Sequence, residues 1–265
     1  LDHAQSIVPL RIGRRIVDFD DVQSLADQRA LAYEKRHGYE QSIIDGLIRS
    51  QIRRAEDRCL ATYDAVWICS DTDRRHLLSR KPRAEILEIP NSVVLAETLP
   101  PVNDRPEIQL LFVGSLGYGP NQDGILWFCN QILPRIRMSS SRKIKLTIVG
   151  FNPPAEVKAL ESAGDILVTG GVESVAPYYR ECDIVIAPIR YGSGTRIKIL
   201  EAMSHRRPVI STTLGVEGID VRPGEDIMIC DTPEAFAASC LELIQNDGRR
   251  RSIAQLGRRL IEEKY

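Results

Sequence analysis

The residues of this sequence best suited to chemistry stand together in Gly192-Ser193-Gly194-Thr195-Arg196-Ile197-Lys198-Ile199-Leu200-Glu201-Ala202. An apolar run ahead of them, Asp183 to Ile189, reads as a strand, and Arg207-Pro208-Val209-Ile210-Ser211 behind them opens another. The segment is therefore a glycine-bearing loop that enters a helix. Gly192 and Gly194 let a backbone come close to a ligand, and the open N–H groups of a helix start favour an anion. Arg196 and Lys198 put two full positive charges in the first turn, where they oppose the helix dipole unless an anion offsets them. Arg196 suits a forked contact and Lys198 a point charge. Glu201, about two turns into the same helix, can accept hydrogen bonds from hydroxyls. A diphosphate carrying a ribose fits these groups; a solvated helix start with a surface salt bridge is the plainer reading.

The elements that would position these groups follow from periodicity. Strands are expected near residues 108–113, 144–149, 166–168, 184–189, 209–212 and 227–230, with helices near 122–138, 155–163, 175–181, 196–205, 233–245 and 249–263. The strands are rich in Val and Ile without polar alternation, which predicts a parallel sheet covered on both faces: a doubly wound α/β domain. Ligands of such sheets bind beyond the carboxyl ends of the strands. Gly114, Gly150, Gly171 and the 192–194 loop all fall there. Thr232-Pro233 marks a helix start, with threonine as cap and proline in the first helical position. Upstream, a short strand at 15–20, helices at 22–36 and 41–62, a strand at 65–69, a helix capped by Ser70 and a strand at 85–89 predict part of a second α/β domain. Pro100, Pro101 and Pro106 mark a linker. The expected organisation is a partial first domain over 1–95, a linker over 96–107 and a second domain over 108–265.

With 265 residues the chain can bury a sizeable core, and its net charge of −1 gives no pull toward nucleic acid. Cys59, Cys69, Cys129, Cys182, Cys230 and Cys240 form no close pair and sit in apolar patterns, so buried reduced thiols in a cytoplasmic protein are expected. His37, His76 and His205 lie in polar helical settings with no partner at ligand spacing; surface histidines and no metal are expected. No apolar run reaches the roughly 18–20 residues that span a bilayer, and no signal peptide is recognisable. The chain opens at Leu1 and stops in a helical pattern at Glu262-Glu263-Lys264-Tyr265, so it reads as a piece of a longer protein.

The ordered series Phe112-Val113-Gly114-Ser115, Val149-Gly150, Gly170-Gly171-Val172, Asp183-Ile184-Val185-Ile186-Ala187-Pro188 and the 192–202 loop resembles the group 1 glycosyltransferases of the GT-B fold. The branch in question has the loop glycine-x-glycine-threonine-arginine-x-lysine-x-x-glutamate-alanine. The resemblance covers residues 108–265 well and 14–95 more loosely. It implies two Rossmann-like domains facing across a cleft, acceptor on the first and nucleotide-diphosphate sugar on the second. The second domain is nearly whole here; the first has its last third, and the helix that crosses back at the C-terminus is missing. It implies no cofactor and no metal.

The resemblance also assigns roles. Glu201 matches the glutamate that holds the ribose, and Gly171, Val172 and Glu173 stand where the base is held through backbone groups. Gly114 and Ser115 would approach the sugar or phosphate through main-chain N–H groups. The arginine and lysine that often follow the first strand are absent, with Ser115 and Pro120-Asn121 in their place, so Arg196 and Lys198 become the phosphate ligands. Ser193 stands where the first of two glutamates is usual, and its hydroxyl is expected to bond a phosphate or sugar hydroxyl. Asp20 falls at the place of a cleft-facing histidine, next to Asp21, where a carboxylate orients an acceptor hydroxyl or takes its proton; acids at a strand end also cap helices. Arg53, Arg54, Arg58, Arg74 and Arg75 suggest peripheral membrane contact or a lipid-linked acceptor, a solvated helix face being the plainer reading.

The implied activity is retaining transfer of a sugar from a nucleotide-diphosphate donor to a glycan or lipid-linked acceptor, in surface-polysaccharide assembly at the inner face of the membrane. A noncatalytic nucleotide-sugar-binding subunit and a sugar-nucleotide epimerase of the same fold remain as alternatives.

Overall fold

Side-chain caps set two helix starts in the first third of the chain. Ser42 accepts from the Ile44 N–H ahead of one helix, and Ser70 from the Asp73 N–H ahead of another. The computed structural model describes residues 13–38, 42–97, 106–161 and 164–265. Most of the expected 96–107 linker, and the end of the expected 155–163 helix, lie outside the described residues.

The chain divides into two units, Leu1–Asn91 with Tyr191–Thr195, and Ser92–Arg190 with Arg196–Tyr265. In the first, the order is β1 (Ile16–Phe19), α1 (Gln23–Arg36), α2 (Ile43–Thr62), β2 (Ala65–Ile68), α3 (Asp71–Arg80) and β3 (Ile86–Glu88). The three strands form a parallel sheet in the order β1-β2-β3. Its core is Phe19, Val22, Leu25, Leu60, Val66, Ile68, Leu77 and Ile86.

The second unit holds a six-stranded sheet built from β4 (Glu107–Val113), β5 (Lys143–Val149), β6 (Ile166–Gly170), β7 (Ile184–Ala187), β8 (Val209–Ser211) and β9 (Met228–Ile229). Every pairing is parallel, and the order is β6-β5-β4-β7-β8-β9. Ile108, Leu110 and Phe112 of β4 enter one core, and Leu111 and Val113 enter another. Successive side chains of a strand point to opposite faces, so this strand is apolar from Leu110 to Val113, where both faces are covered.

On one face lie α4 (Gly119–Trp127), α5 (Leu133–Ser139) and α9 (Pro233–Gln245), through Ile125, Ile136, Phe236 and Leu243. On the other lie α7 (Ala176–Glu181), α8 (Ile197–Ser204) and α10 (Asp247–Lys264), through Tyr179, Leu200, Met203 and Leu260. A short α6 (Ala155–Lys158) follows β5. Thr232 caps α9 through the Ala235 N–H, with Pro233 behind it.

Two differences from the periodicity have physical causes. The helix expected over 122–138 starts at Gly119 and is broken by a π-helical stretch, Phe128–Ile132. Pro134 cannot donate to the carbonyl one turn back and its ring crowds it, so the backbone widens there. Helix α8 starts one residue later than expected. Arg196 occupies its N-cap with φ −85° and ψ 84°, outside the helix, and Glu201 lies little more than one turn in.

Candidate functional site

The order β6-β5-β4-β7-β8-β9 runs outward in both directions from the pair β4 and β7. In an open parallel sheet this switch point is where connecting loops diverge and leave a crevice beyond the carboxyl ends. Gly114 follows β4, and Lys198 sits in the first turn of α8, the helix after β7. The Lys198 ammonium donates to Asn121 Oδ1 at 2.6 Å and lies 4.6 Å from the centroid of the Phe112 ring. Asn121 Nδ2 in turn donates to the Ser115 carbonyl at 2.8 Å. A Cβ at Gly114 would stand 2.6 Å from Lys198 Nζ and 2.8 Å from Asn121 Nδ2, so glycine is what lets the ammonium approach this loop. Burial, and then the charge of Arg196, push the Lys198 pKa down to about 7. An anion arriving here would meet a cation that is costly to charge while alone.

The neighbouring strand ends are fixed by glycine for steric reasons. A Cβ at Gly150 would overlap the Gly114 carbonyl oxygen. Gly150 N–H donates to the Gly170 carbonyl at 3.1 Å, and Gly170 takes φ +71°. Val172 is half-buried against the α8 face of the sheet, and Glu173 is exposed.

Glu201 is half-buried on the same helix as Lys198. The buried Tyr179 hydroxyl donates to its Oε2 at 3.1 Å and also lies 3.3 Å from the Lys198 carbonyl. Burial pushes the Glu201 carboxyl above its ordinary range, while the Tyr179 hydrogen bond and Lys198 oppose that shift. His205 stacks on Tyr179 with ring centroids 5.1 Å apart, and Arg207 Nε donates to the Tyr179 carbonyl at 2.6 Å. The surface placement expected for His205 is thus wrong: it is half-buried in the packing that holds Tyr179. His76 is likewise half-buried, 3.0 Å from Ser24 Oγ, while His37 is exposed.

The loop Tyr191–Thr195 groups with the first unit. Gly192 and Gly194 take φ +108° and +78°, a region that favours glycine. Within that unit Arg29 donates to the Gly192 carbonyl at 3.0 Å, and Tyr191 stacks on Tyr33 at 4.6 Å. Ser193 is 1% exposed and donates to the Asp21 carboxylate. Its hydroxyl proton is therefore engaged by protein. Asp20 is exposed, and its carbonyl accepts from Cys69 Sγ at 3.2 Å. Of the two acids it is Asp21 that meets the glycine loop.

Among the described residues, no three His, Cys, Asp or Glu side chains are grouped to hold a metal ion, and no helix is long and apolar enough to cross a membrane. All six cysteines are buried and unpaired. A cavity of about 620 Å³ beside Gln109, Lys145 and Ile166 lies at the opposite strand ends and shares none of the residues above.

The model of the family "Glycosyl transferases group 1" matches residues 107–246, more than half of the chain. The chain belongs to the group 1 glycosyltransferases. It is 30% identical over 171 residues to a Klebsiella pneumoniae protein described as "Uncharacterized 44.6 kDa protein in cps region", a match covering 61% of this chain and 44% of that protein. The chain thus spans less than half the length of this curated relative. Among solved structures, sucrose-phosphate synthase from Thermosynechococcus elongatus matches with a TM-score of 0.71 and 17% identity, over 99% of this chain and 65% of that one. S. aureus TarM, in a complex with fondaparinux, alpha-GlcNAc-glycerol and UDP, matches at 0.68 and 15% identity, over 81% and 44%. At these identities the likeness establishes the fold, which is of the GT-B type.

Two positions at which the sequence lacks the residues that the resemblance implies acquire a physical reading. Asn121, near the place of the usual lysine, carries no charge but holds the Lys198 ammonium. Ser193, at the place of the first glutamate, is spent on Asp21. Asn121 and Tyr179 were not expected as site residues. The sequence signal for Asn121 is its place at the start of the helix after β4; for Tyr179, a tyrosine in the short helix before β7.

Proposed function

We propose that this chain carries the donor site of a glycosyltransferase that moves a sugar from a nucleotide-diphosphate donor to a glycan or lipid-linked acceptor, with retention. The observation that carries the reading is the Lys198 ammonium, seated between Phe112, Asn121 and Gly114 at the β4–β7 switch point, with Arg196 at the start of the same helix. Two cations and open helix N–H groups meet charge as it develops on a departing diphosphate, the kind of fixed electrostatic stabilisation that lowers barriers most. Glu201, held by Tyr179, accepts from the ribose hydroxyls. The Gly114 N–H is taken by the Val149 carbonyl at 2.9 Å, which corrects its expected role, so of this pair it is the Ser115 main chain that approaches the sugar phosphate. Gly171, Val172 and Glu173 serve the base through backbone groups, and Gly150 keeps the strand ends close.

On the acceptor side the reading assigns Asp20 to the acceptor hydroxyl, with no metal and no further cofactor. Assembly of surface polysaccharide at the inner face of the membrane is supported by the relative from a cps region. The exposed Arg53, Arg54 and Arg58 of α2 supply the positive charge for peripheral contact with that membrane.

Release of free nucleoside diphosphate from nucleotide sugars, followed with and without a mixed acceptor extract, tests the reading. Acceptor-dependent release supports transfer. Epimerised sugar with no transfer to acceptor points to the epimerase, and binding without turnover to a noncatalytic subunit. A charge-assisted hydrogen bond contributes about 1.5–3 kcal/mol, so Lys198→Ala should weaken nucleoside diphosphate by roughly ten- to a hundredfold.

A further inference from the structure

We propose that Phe151 is the stacking platform for the nucleobase of the donor. The inference rests on the donor reading above and names a side chain for a part of the ligand so far left to backbone groups. Phe151 lies two residues past β5 and is 72% exposed, whereas the other phenylalanines, Phe19, Phe112, Phe128 and Phe236, are buried. A phenyl ring in water forgoes the stabilisation that burial gives, so the local backbone must hold it there.

Three features do so. Gly150, just before it, has no room for a side chain against the Gly114 carbonyl. The Phe151 carbonyl accepts the Leu116 N–H at 2.8 Å. Asn152, just after it, takes φ +55°, a left-handed conformation that few residues other than glycine adopt and that gathers at functional sites. The turn is pinned on both sides of the ring.

The ring rests against the loop after β6: a Cβ at Gly171 would stand 3.1 Å from Phe151 Cδ2. Gly171 thus leaves space for the ring. Phe151 lies between the loops that follow β4 and β6, at the carboxyl ends of the strands, one strand over from the loop that Lys198 touches. Neighbouring strands are about 4.8 Å apart, which puts the ring and the ammonium at adjacent strand ends for the base and the diphosphate of one ligand. A rigid aromatic face with two side-chain torsions stacks on any base, which makes it an anchor that leaves base identity to hydrogen bonds elsewhere.

The test is a calorimetric titration of the wild-type chain, Phe151→Ala and Phe151→Trp with UDP, GDP, ADP and, as the base-free probe, inorganic pyrophosphate. Because the ring is mostly in water, neither change threatens the fold. Phe151→Ala should weaken the nucleoside diphosphate that the wild type binds by roughly tenfold, within the range of base–aromatic stacking, and leave pyrophosphate unchanged. Phe151→Trp should retain affinity and show indole quenching by the nucleotide but not by pyrophosphate. Equal nucleotide affinity in wild type and Phe151→Ala would overturn the platform while leaving the donor site standing. A wild type that binds none of the nucleotides would overturn the donor reading, and the platform with it.

Discussion

Lys198 and Asn121 join the first turns of two helices, α8 and α4, through a polar contact. The ammonium donates to the amide oxygen at 2.6 Å, and the amide nitrogen donates to the Ser115 carbonyl at 2.8 Å. Asn121 is 7% exposed, so its amide depends on both partners. Together these bonds tie the start of α8 to the start of α4 and, through Ser115, to the loop after β4, and set where the cation stands before any ligand arrives.

Asn121→Ala should remove this tie and leave the Lys198 ammonium without its protein acceptor. The expected cost is about 1–3 kcal/mol of stability, from polar groups left unpaired, read as a lower midpoint in urea. Asn121→Asp should act oppositely on charge. Its carboxylate would favour the charged lysine but repel diphosphate, so affinity for nucleoside diphosphate should fall about tenfold while the urea midpoint stays closer to wild type. Unchanged affinity in the aspartate variant would place the diphosphate elsewhere.

With a pKa of about 7, Lys198 is roughly half charged at neutral pH in the ligand-free chain. A bound diphosphate favours the charged form, so binding at pH 8 should take up a proton, measured by calorimetry in buffers of different ionisation heat. Affinity should fall as pH rises from 6 to 9, and Lys198→Met should abolish the uptake. The sign for stability follows from the same depression. The ordinary lysine value of 10.5 lies above the folded value of about 7, so the unfolded chain binds more protons between them. This residue's contribution to stability therefore rises with pH across that window. In the methionine variant the rise should be absent.

Much of the fold is legible in the sequence because β7 and the second half of β4 bury both faces and leave apolar runs, Ile184-Val185-Ile186-Ala187 and Leu110-Leu111-Phe112-Val113, while β5 alternates. The π-helical break near Pro134 is less legible, since the same apolar spacing continues through it. The groups best suited to phosphate, Arg196 and Lys198, stand out by charge beside glycine. Their partners do not. Asn121 lies 77 residues from Lys198, and Asp21 lies 172 residues from Ser193, distances over which spacing carries no information. Phe151 did leave a signal, a single aromatic in a polar turn after Gly150, but only its exposure distinguishes it from a core residue.

Glu201 should show its role through a paired comparison. Glu201→Gln keeps the shape but loses the charge, and should weaken a ribose nucleotide by about 1–2 kcal/mol on the scale of charged hydrogen bonds. A deoxyribose analogue should lose much less. Equal losses for the two ligands would mean that the carboxylate serves only the Tyr179 hydroxyl and the packing of α8.

The strand ends make a steric prediction. Gly150→Ala would drive a methyl into the Gly114 carbonyl, a backbone atom, whereas Gly171→Ala meets the edge of the Phe151 ring at 3.1 Å, which a change of a few tenths of an ångström relieves. Overpacking against backbone should cost about 1–3 kcal/mol or more, and Gly171→Ala well below that. Thermal melting of the two variants beside wild type checks the order. The reverse order would mean that the 114–150 contact is not closed in solution.

The most direct test of the donor site is a crystal structure of this chain with nucleoside diphosphate at saturating concentration. The account predicts the diphosphate at the start of α8, with phosphate oxygens within hydrogen-bond distance of Lys198 Nζ and the Arg196 guanidinium, and the ribose hydroxyls on Glu201. A diphosphate bound anywhere else, or a loop still empty beside an unchanged Lys198–Asn121 contact, would contradict it.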